Sequence, residues 1–229
     1  MYHFLKADMK SGIGNEPPWV VGESRSITDP PVLCRLGYHA SSTPFEALQY
    51  APGSVLCLVE LTGVVLVDSD KAVGQGRRLV AAVNVERELR LFACDCAERA
   101  LPLFELVYPQ DQRPREAILV ARRYADGQAT YTELDAARVA AWDAVGDAAT
   151  AAAWDAAGAT ARTPAWEAAR TAAWAASRAD AWDAARAAPW AASRAAAWDA
   201  AWEAETLWQT NRLEALLLPL LKAASPQAR

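Results

Sequence analysis

The sequence predicts an α+β protein in two parts: a small N-terminal α/β domain over residues 1–85 and an all-α, Ala/Trp-rich helical bundle over residues 86–229. Three observations predict it. Eight of the eleven glycines lie before residue 85, among β-branched runs. Beyond it the chain is rich in Ala, Leu, Arg and Glu. From there tryptophans recur at multiples of four, at Trp142, Trp154, Trp166, Trp174, Trp182, Trp190, Trp198 and Trp202, in 8- and 12-residue repeats filled mostly by alanine. A repeat this regular re-uses one packing solution and speaks for architecture before chemistry.

In the first part, Tyr2–Asp8 and Val55–Leu61 read as strands, the second a buried one with few polar positions. Gly63 is expected to turn the chain into Val64–Val67, the partner of a hairpin. Between the strands, Thr43-Pro44-Phe45-Glu46 is a capping box with proline at the first helical position. It opens a short helix from Pro44 to about Tyr50, which Pro52-Gly53 ends. Leu79–Val85 reads as a further strand, with a helix start as the alternative.

The second part is helical. Over Glu86–Phe104 the residues Leu89, Phe92, Cys96, Ala100 and Leu103 share one stripe, and Pro102 is expected to kink or end the helix. After the loop Tyr108–Arg113, Pro114 starts a helix that stops at Asp126-Gly127. Thr130-Tyr131-Thr132-Glu133 is a second capping box, opening the Ala/Trp region. A period of four overshoots the 3.6 residues of a helical turn, so the Trp stripe drifts by about 40° every four residues. One straight helix cannot keep it buried. Gly146, Gly158, Pro164 and Pro189 are candidate breaks, with helices at about 131–161, 165–188 and 190–222. Within the middle one, Trp166, Arg170, Trp174, Arg178, Trp182 and Arg186 step round one side. Ala169, Ala172, Ala173, Ala176 and Ala187 collect on the other, where helices approach closely.

Composition narrows the function. A chain of 229 residues buries a real core without disulfides or metals. A formal charge of −5 argues against nucleic-acid binding, which needs a net basic face. Cys34, Cys57, Cys94 and Cys96 form no CxxC pair; Cys94 and Cys96 lie on opposite sides of a helix, about 200° apart, so free buried thiols are expected and no metal site. No signal peptide or membrane span is present, which gives a cytoplasmic expectation.

The stretch Glu88 to Glu105, containing Asp95-Cys96-Ala97-Glu98-Arg99-Ala100-Leu101-Pro102-Leu103-Phe104-Glu105, is followed by Tyr108-Pro109, Arg113-Pro114-Arg115-Glu116-Ala117-Ile118 and Ala125-Asp126-Gly127. Together these motifs resemble the immunity proteins of bacterial polymorphic-toxin systems, over about residues 86–225. The resemblance implies an all-helical fold in which two such helices precede an Ala-rich array, and a role in holding a protein partner. Family members carry histidines in that array; tryptophans stand there instead, so no metal or His-dependent role carries over. The N-terminal part, with Leu33-Cys34-Arg35-Leu36-Gly37-Tyr38-His39, Ala47-Leu48-Gln49-Tyr50 and Val59-Glu60-Leu61, is similar to an uncharacterised domain of phage and bacterial proteins. That similarity implies no activity and favours a phage or mobile-element setting.

Candidate chemistry is sparse. His39 follows an expected strand and Glu60 lies on a later one; with Ser41, Ser42 and Tyr50 they loosely match the set by which ADP-ribosyltransferase-type folds hold a nicotinamide dinucleotide. The plainer account makes His39 a packed or surface imidazole and Glu60 a strand-edge charge. Gly12-Ile13-Gly14 and Gly74-Gln75-Gly76 read as loops needing glycine rather than phosphate cradles, and Arg77, Arg78 and Lys71 as a solvated edge. The ladder of Trp166, Arg170, Trp174, Arg178, Trp182, Arg186, Trp190, Arg194 and Trp198 is either core or a binding face, since Trp and Arg are enriched at hot spots. The sequence therefore favours a non-enzymatic protein that binds and neutralises a toxin or defence component, with no cofactor, nucleic acid or membrane partner. An NAD-dependent transferase or nucleotide-binding protein built on residues 1–85 is the alternative of another class. A self-assembling scaffold or virion component is the third, and homo-oligomerisation stays open.

Overall fold

The computed structural model describes residues 1–12, 14–154, 170–172, 175, 185–186 and 198–225. Residues Met1–Glu86 and Thr210–Arg229 form one compact unit and Arg87–Gln209 the other, called here the sheet unit and the helical unit. The α+β expectation holds: an antiparallel sheet comes first and helices follow.

The sheet unit is built on strands β1 (Tyr2–Leu5), β2 (Ser24–Ser26), β3 (Tyr38–Ala40), β4 (Val55–Val67) and β5 (Ala72–Asn84), with helix α1 (Pro44–Leu48) between β3 and β4. Strand order is β1-β4-β5-β2, and β3 pairs with β5 beside β2; every pairing is antiparallel. Two backbone bonds between Tyr2 and Ser41, of 2.8 and 2.9 Å, link β1 to the end of β3 and close the cycle β1–β4–β5–β3. Inside lie Leu5, Trp19, Ala40, Val55, Cys57, Val59 and Leu79.

Several expectations are corrected here. Gly63 does not turn the chain: β4 runs straight through it, and the hairpin turn comes at Asp68–Lys71, where the Asp68 N–H donates to the Lys71 carbonyl at 2.8 Å. Gly63, at φ +72°, instead sits in a register shift between Thr62 and Val65, a bulge that glycine admits without steric cost. Strand β1 stops at Leu5, because the Lys6 and Met9 amides are spent on a local turn. Tyr38-His39-Ala40 is itself a strand. Gly74 and Gly76 lie within β5 and not in a loop; a Cβ on Gly74 would sit 2.8 Å from the Gly76 carbonyl and 3.0 Å from Leu61 Cβ. Helix α1 follows its capping box as expected: Glu46 N–H bonds Thr43 Oγ1, and Thr43 N–H bonds Glu46 Oε2.

The helical unit contains α2 (Glu86–Val107), α3 (Arg113–Ala125), α4 (Tyr131–Trp154) and the first half of α5 (Trp198–Ala224). Pro102 does not end α2. It is exposed, as is Glu98 one turn earlier, so water can take the carbonyl that proline leaves unbonded. Burial on α2 is wider than one stripe: Phe104 rather than Leu103 is buried, and Cys94 and Cys96 are both buried. The Cys94 thiol faces the Ile118 carbonyl on α3 at 3.9 Å, while Cys96 lies within range of the Glu205 carboxylate on α5. The geometry that separates the two thiols is satisfied because α2 is covered on two sides. Helix α3 ends in a Schellman motif: Gln128 N–H bonds the Arg123 carbonyl, Gly127 N–H bonds that of Tyr124, and Gly127 has φ +71°. Helix α4 opens with the Thr130/Glu133 capping box and passes through Gly146 unbroken. The other expected breaks, Gly158, Pro164 and Pro189, lie outside the described residues.

Helix α5 buries Glu205, Gln209, Leu213, Leu217 and Leu221. These are spaced by four, so the buried line winds by about 160° along the helix. Its polar members belong to the helical unit and its leucines to the sheet unit.

Gly37 offers a direct check on the sheet unit. It has φ +112°, and a Cβ there would stand 2.7 Å from Val73 Cγ2 and 2.9 Å from the Gly74 carbonyl. Gly37→Ala is expected to lower the stability of the sheet unit by about 1–3 kcal/mol in urea unfolding. Unchanged stability would show that β3 does not need this close approach.

Candidate functional site

Alternation along β5 puts Arg77, Leu79 and Ala81 on the core face. Arg77 is thereby taken into the sheet unit, 3% exposed, and is not part of a solvated edge. It stands opposite Arg25 on β2. Both guanidiniums lie on the Trp19 ring, Arg25 at 4.1 Å and Arg77 at 4.5 Å, and Arg77 also lies 5.4 Å from the Tyr38 ring. Arg25 is neutralised by Glu23 at 2.7 Å and further bonded to the Pro17 and Pro18 carbonyls. Arg77 donates to the His39 carbonyl at 3.1 Å and, among the described residues, has no carboxylate at ion-pair distance. Burial pulls its pKa down to about 10. Two aromatic faces take the place of a counter-charge.

His3 on β1 stands opposite Cys57 on β4, and its Nε2 is buried with no hydrogen-bond partner among the described residues. Burial, then the Arg77 charge, then His39 hold its pKa well below the usual imidazole value. Burial likewise pushes the Cys57 thiol up to about 12.

Beside β3 a second polar group forms. Cys34, in the left-handed region at φ +60°, donates its backbone N–H to His39 Nε2 at 3.0 Å. Lys71 Nζ donates to Tyr50 Oη at 3.0 Å, sits 4.7 Å from that ring, and also reaches the Cys34 side chain. Tyr50 Oη donates to Asp70 Oδ2 at 2.5 Å, and Gln49 Nε2 donates to the same oxygen at 2.6 Å. The Tyr50 hydroxyl, ahead of the Lys71 charge, holds the Asp70 carboxyl below its usual range.

Of the residues singled out for dinucleotide chemistry, His39 and Tyr50 share this neighbourhood through Lys71. Glu60 does not join them. It is exposed and faces Arg78 at 3.4 Å; His39 pairs with Val73, five residues away along β5 or roughly 17 Å. Ser41 is buried in its bridge to Tyr2, and the Ser42 amide is spent on Glu46. The structure therefore does not bring His39 and Glu60 into one site. Trp19 was not singled out, and Arg77 was expected on a solvated edge although the alternation that buries it was present in the sequence.

In the helical unit most charged residues of the motifs are held in ion pairs. Arg122 on α3 bonds Asp95 at 2.6 Å and Glu98 at 2.8 Å on α2. Arg115 bonds Glu105 at 2.7 Å, and Arg113 bonds Asp111 at 2.6 Å and Asp147 of α4 at 2.7 Å. Arg87 bonds Asp126 at 2.6 Å. Arg99 donates to the buried Glu205 at 2.8 Å and lies 4.1 Å above the Trp208 ring. Gln209 Nε2 donates to the Ala185 carbonyl at 2.8 Å and to Glu205 at 3.3 Å.

Of the Trp/Arg ladder, Arg170, Arg186 and Trp198 fall among the described residues. Arg170 is half-buried, Arg186 exposed, and Trp198 opens α5. Ala172, Ala175 and Ala185 beside them are buried. Trp166, Trp174, Arg178, Trp182, Trp190 and Arg194 lie outside the described residues.

A family model described as Imm-5 like putative immunity protein matches residues 82–216. The chain belongs to this Imm-5 like family. The match spans the end of β5, helices α2 to α4, the array and most of α5. It leaves out residues 1–81, whose similarity to a phage and bacterial domain no comparison supports. No curated protein and no solved structure matches the chain. In this Imm-5 like protein, the motifs that carried the resemblance are the ones tied up in ion pairs, so they hold α2, α3, α4 and α5 in place. Among the described residues no helix is long and apolar enough to cross a membrane.

Two predictions follow from the sheet unit. Cys34 is exposed whereas Cys57, Cys94 and Cys96 are buried, so the native protein is expected to take one equivalent of a thiol reagent, at Cys34. Peptide mapping that finds early label on any of the other three contradicts this burial. Both His3 and His39 are held below the usual imidazole pKa, so folding opposes their protonation. Their contribution is complete above the unfolded-state value of about 6.5 and is lost as pH falls below it, at up to about 1.4 kcal/mol per pH unit from His3. Urea unfolding between about pH 7.5 and 5 is expected to show this loss, and His3→Phe to flatten it. A slope unaltered by His3→Phe would mean that His3 is protonated in the folded protein.

Proposed function

We propose that this Imm-5 like protein acts by binding: it holds and neutralises a protein partner, a toxin of a polymorphic-toxin system or a defence component, and turns over no substrate. The family match over residues 82–216 carries the proposal. Charge supports it. Residues 87–209 hold thirteen arginines against eighteen acids, so the whole formal charge of −5 resides in the helical unit. A surface of that sign speeds encounter with a basic partner and disfavours acidic ones. The proposed contact is the Trp/Arg ladder from Trp166 to Trp198, of which Arg186 is exposed.

Affinity capture with the full chain from its native host is expected to recover one protein in stoichiometric amount. Co-expression should then relieve that protein's toxicity or block its action. Raised salt should slow association, and Arg186→Glu should weaken binding tenfold or more, about 1.4 kcal/mol. Recovery of no protein, together with tight binding of a nucleotide, would overturn the proposal in favour of ligand binding on residues 1–85.

A further inference from the structure

Strand β4 is thirteen residues long, but β1 pairs only with Val55–Leu58. The Val59 amide is taken by the Met1 carbonyl, and beyond it β5 is the only strand paired with β4 among the described residues. Among the described residues no strand pairs with the other edge of Glu60–Val67. Its tip is apolar on both faces: Val64, Val65, Leu66 and Val67 are 39–74% exposed. The remaining edges of this sheet are blunted. Strands β2 and β3 are three residues each, β2 reads Ser24-Arg25-Ser26, and β1 gives over to the Lys6–Lys10 turn and the Ser41 bridge. Short, polar and charged edges are how sheets avoid pairing with other chains; a long edge of valine and leucine is a template for it. The bulge at Gly63 bends the tip without covering it.

We propose that this edge is an interface between two copies of the chain, paired antiparallel through residues 60–67 about a two-fold axis. Open backbone N–H and C=O groups demand an extended strand, which limits the occupant's chemistry. A second copy supplies an edge of the same length and composition. Glu60 is the one charged residue on it. In an antiparallel pair over the full free length Glu60 falls opposite Val67, Leu61 opposite Leu66, Thr62 opposite Val65 and Gly63 opposite Val64, so the two carboxylates end up at opposite ends. A parallel pair would set Glu60 beside Glu60, which is unfavourable. Two-fold pairing also consumes both edges, so assembly stops at two chains. The inference is independent of the toxin-binding proposal, which rests on the helical unit.

Analytical ultracentrifugation of the full chain tests it. The protein of 24.7 kDa is expected to sediment as a concentration-dependent dimer reaching half-association at or below about 100 μM. Val64→Lys with Val67→Lys, both on exposed positions, should raise the dissociation constant at least tenfold while leaving the circular dichroism unchanged. Amides of residues 60–67 should exchange more slowly as wild-type concentration rises. A wild-type chain that stays monomeric at about five times that concentration, or a dimer indifferent to the lysines, overturns the proposal. So does protection of residues 60–67 seen only when a foreign protein is added, which would assign the edge to that protein.

Discussion

Alanine helices bury little, and that constraint governs the helical unit. An alanine side chain offers one methyl group, where a leucine offers three more carbons worth about 0.8 kcal/mol each. Buried alanines such as Ala141, Ala144, Ala172 and Ala185 let backbones approach, but they distinguish poorly between one register and the next. Polar groups supply that distinction. Glu205 and Gln209 are buried on α5, and their partners are Arg99 on α2 and the Ala185 carbonyl in the array. As native bonds these are worth only about 1 kcal/mol each net; left unmade in the interior each group costs about 1–3 kcal/mol, and an unpaired carboxylate more. A slipped helix would lose all of them together. The network therefore selects the arrangement more than it deepens it.

The same asymmetry operates in the sheet unit with the charge reversed. Arg77 is buried without a carboxylate, and Trp19 and Tyr38 supply π-faces where a counter-ion would otherwise stand. Burial first, and the Arg77 field second, hold the pKa of the neighbouring His3 imidazole well below the usual value, since a second cation there would face both desolvation and repulsion. The His39 carbonyl that accepts from Arg77 belongs to the residue whose Nε2 accepts from Cys34. His39 thus helps to hold β3 and its preceding loop together.

What was legible in the sequence follows from how local each signal is. The Thr43/Glu46 and Thr130/Glu133 boxes and the Gly127 stop involve groups within five residues, and each appears as expected. Gly63 was misjudged, and of the kink or end expected at Pro102 the end does not occur, because both effects depend on surroundings. A glycine between two apolar runs turns or bulges according to what the facing strand does, and a proline ends a helix only where its freed carbonyl cannot meet water. Arg77 shows the limit in another form. Its alternation was in the sequence, but the Trp19 that makes its burial tolerable comes from a loop nearly sixty positions earlier. The pairs Arg122–Asp95, Arg99–Glu205 and Arg113–Asp147 are likewise non-local, so the motif could be recognised without revealing what its charges do.

That last point bears on how membership in the Imm-5 like family relates to specificity. Asp95, Glu98, Arg99, Glu105, Arg113 and Arg115 identify the chain, and all of them are engaged inside the helical unit. Residues that fix a scaffold tolerate little change whatever the scaffold binds, because each lost partner strands a charge. Residues that choose a partner face the opposite demand: they must differ between chains that bind different partners. The motifs that identify this fold are therefore poorly suited to naming its partner, and the identity of a bound protein has to be written in positions they leave unengaged. Arg186, exposed in the array beside buried Ala185, meets that condition. The ion-pair network thus fixes the scaffold, and the proposed contact at Arg186 lies outside that network.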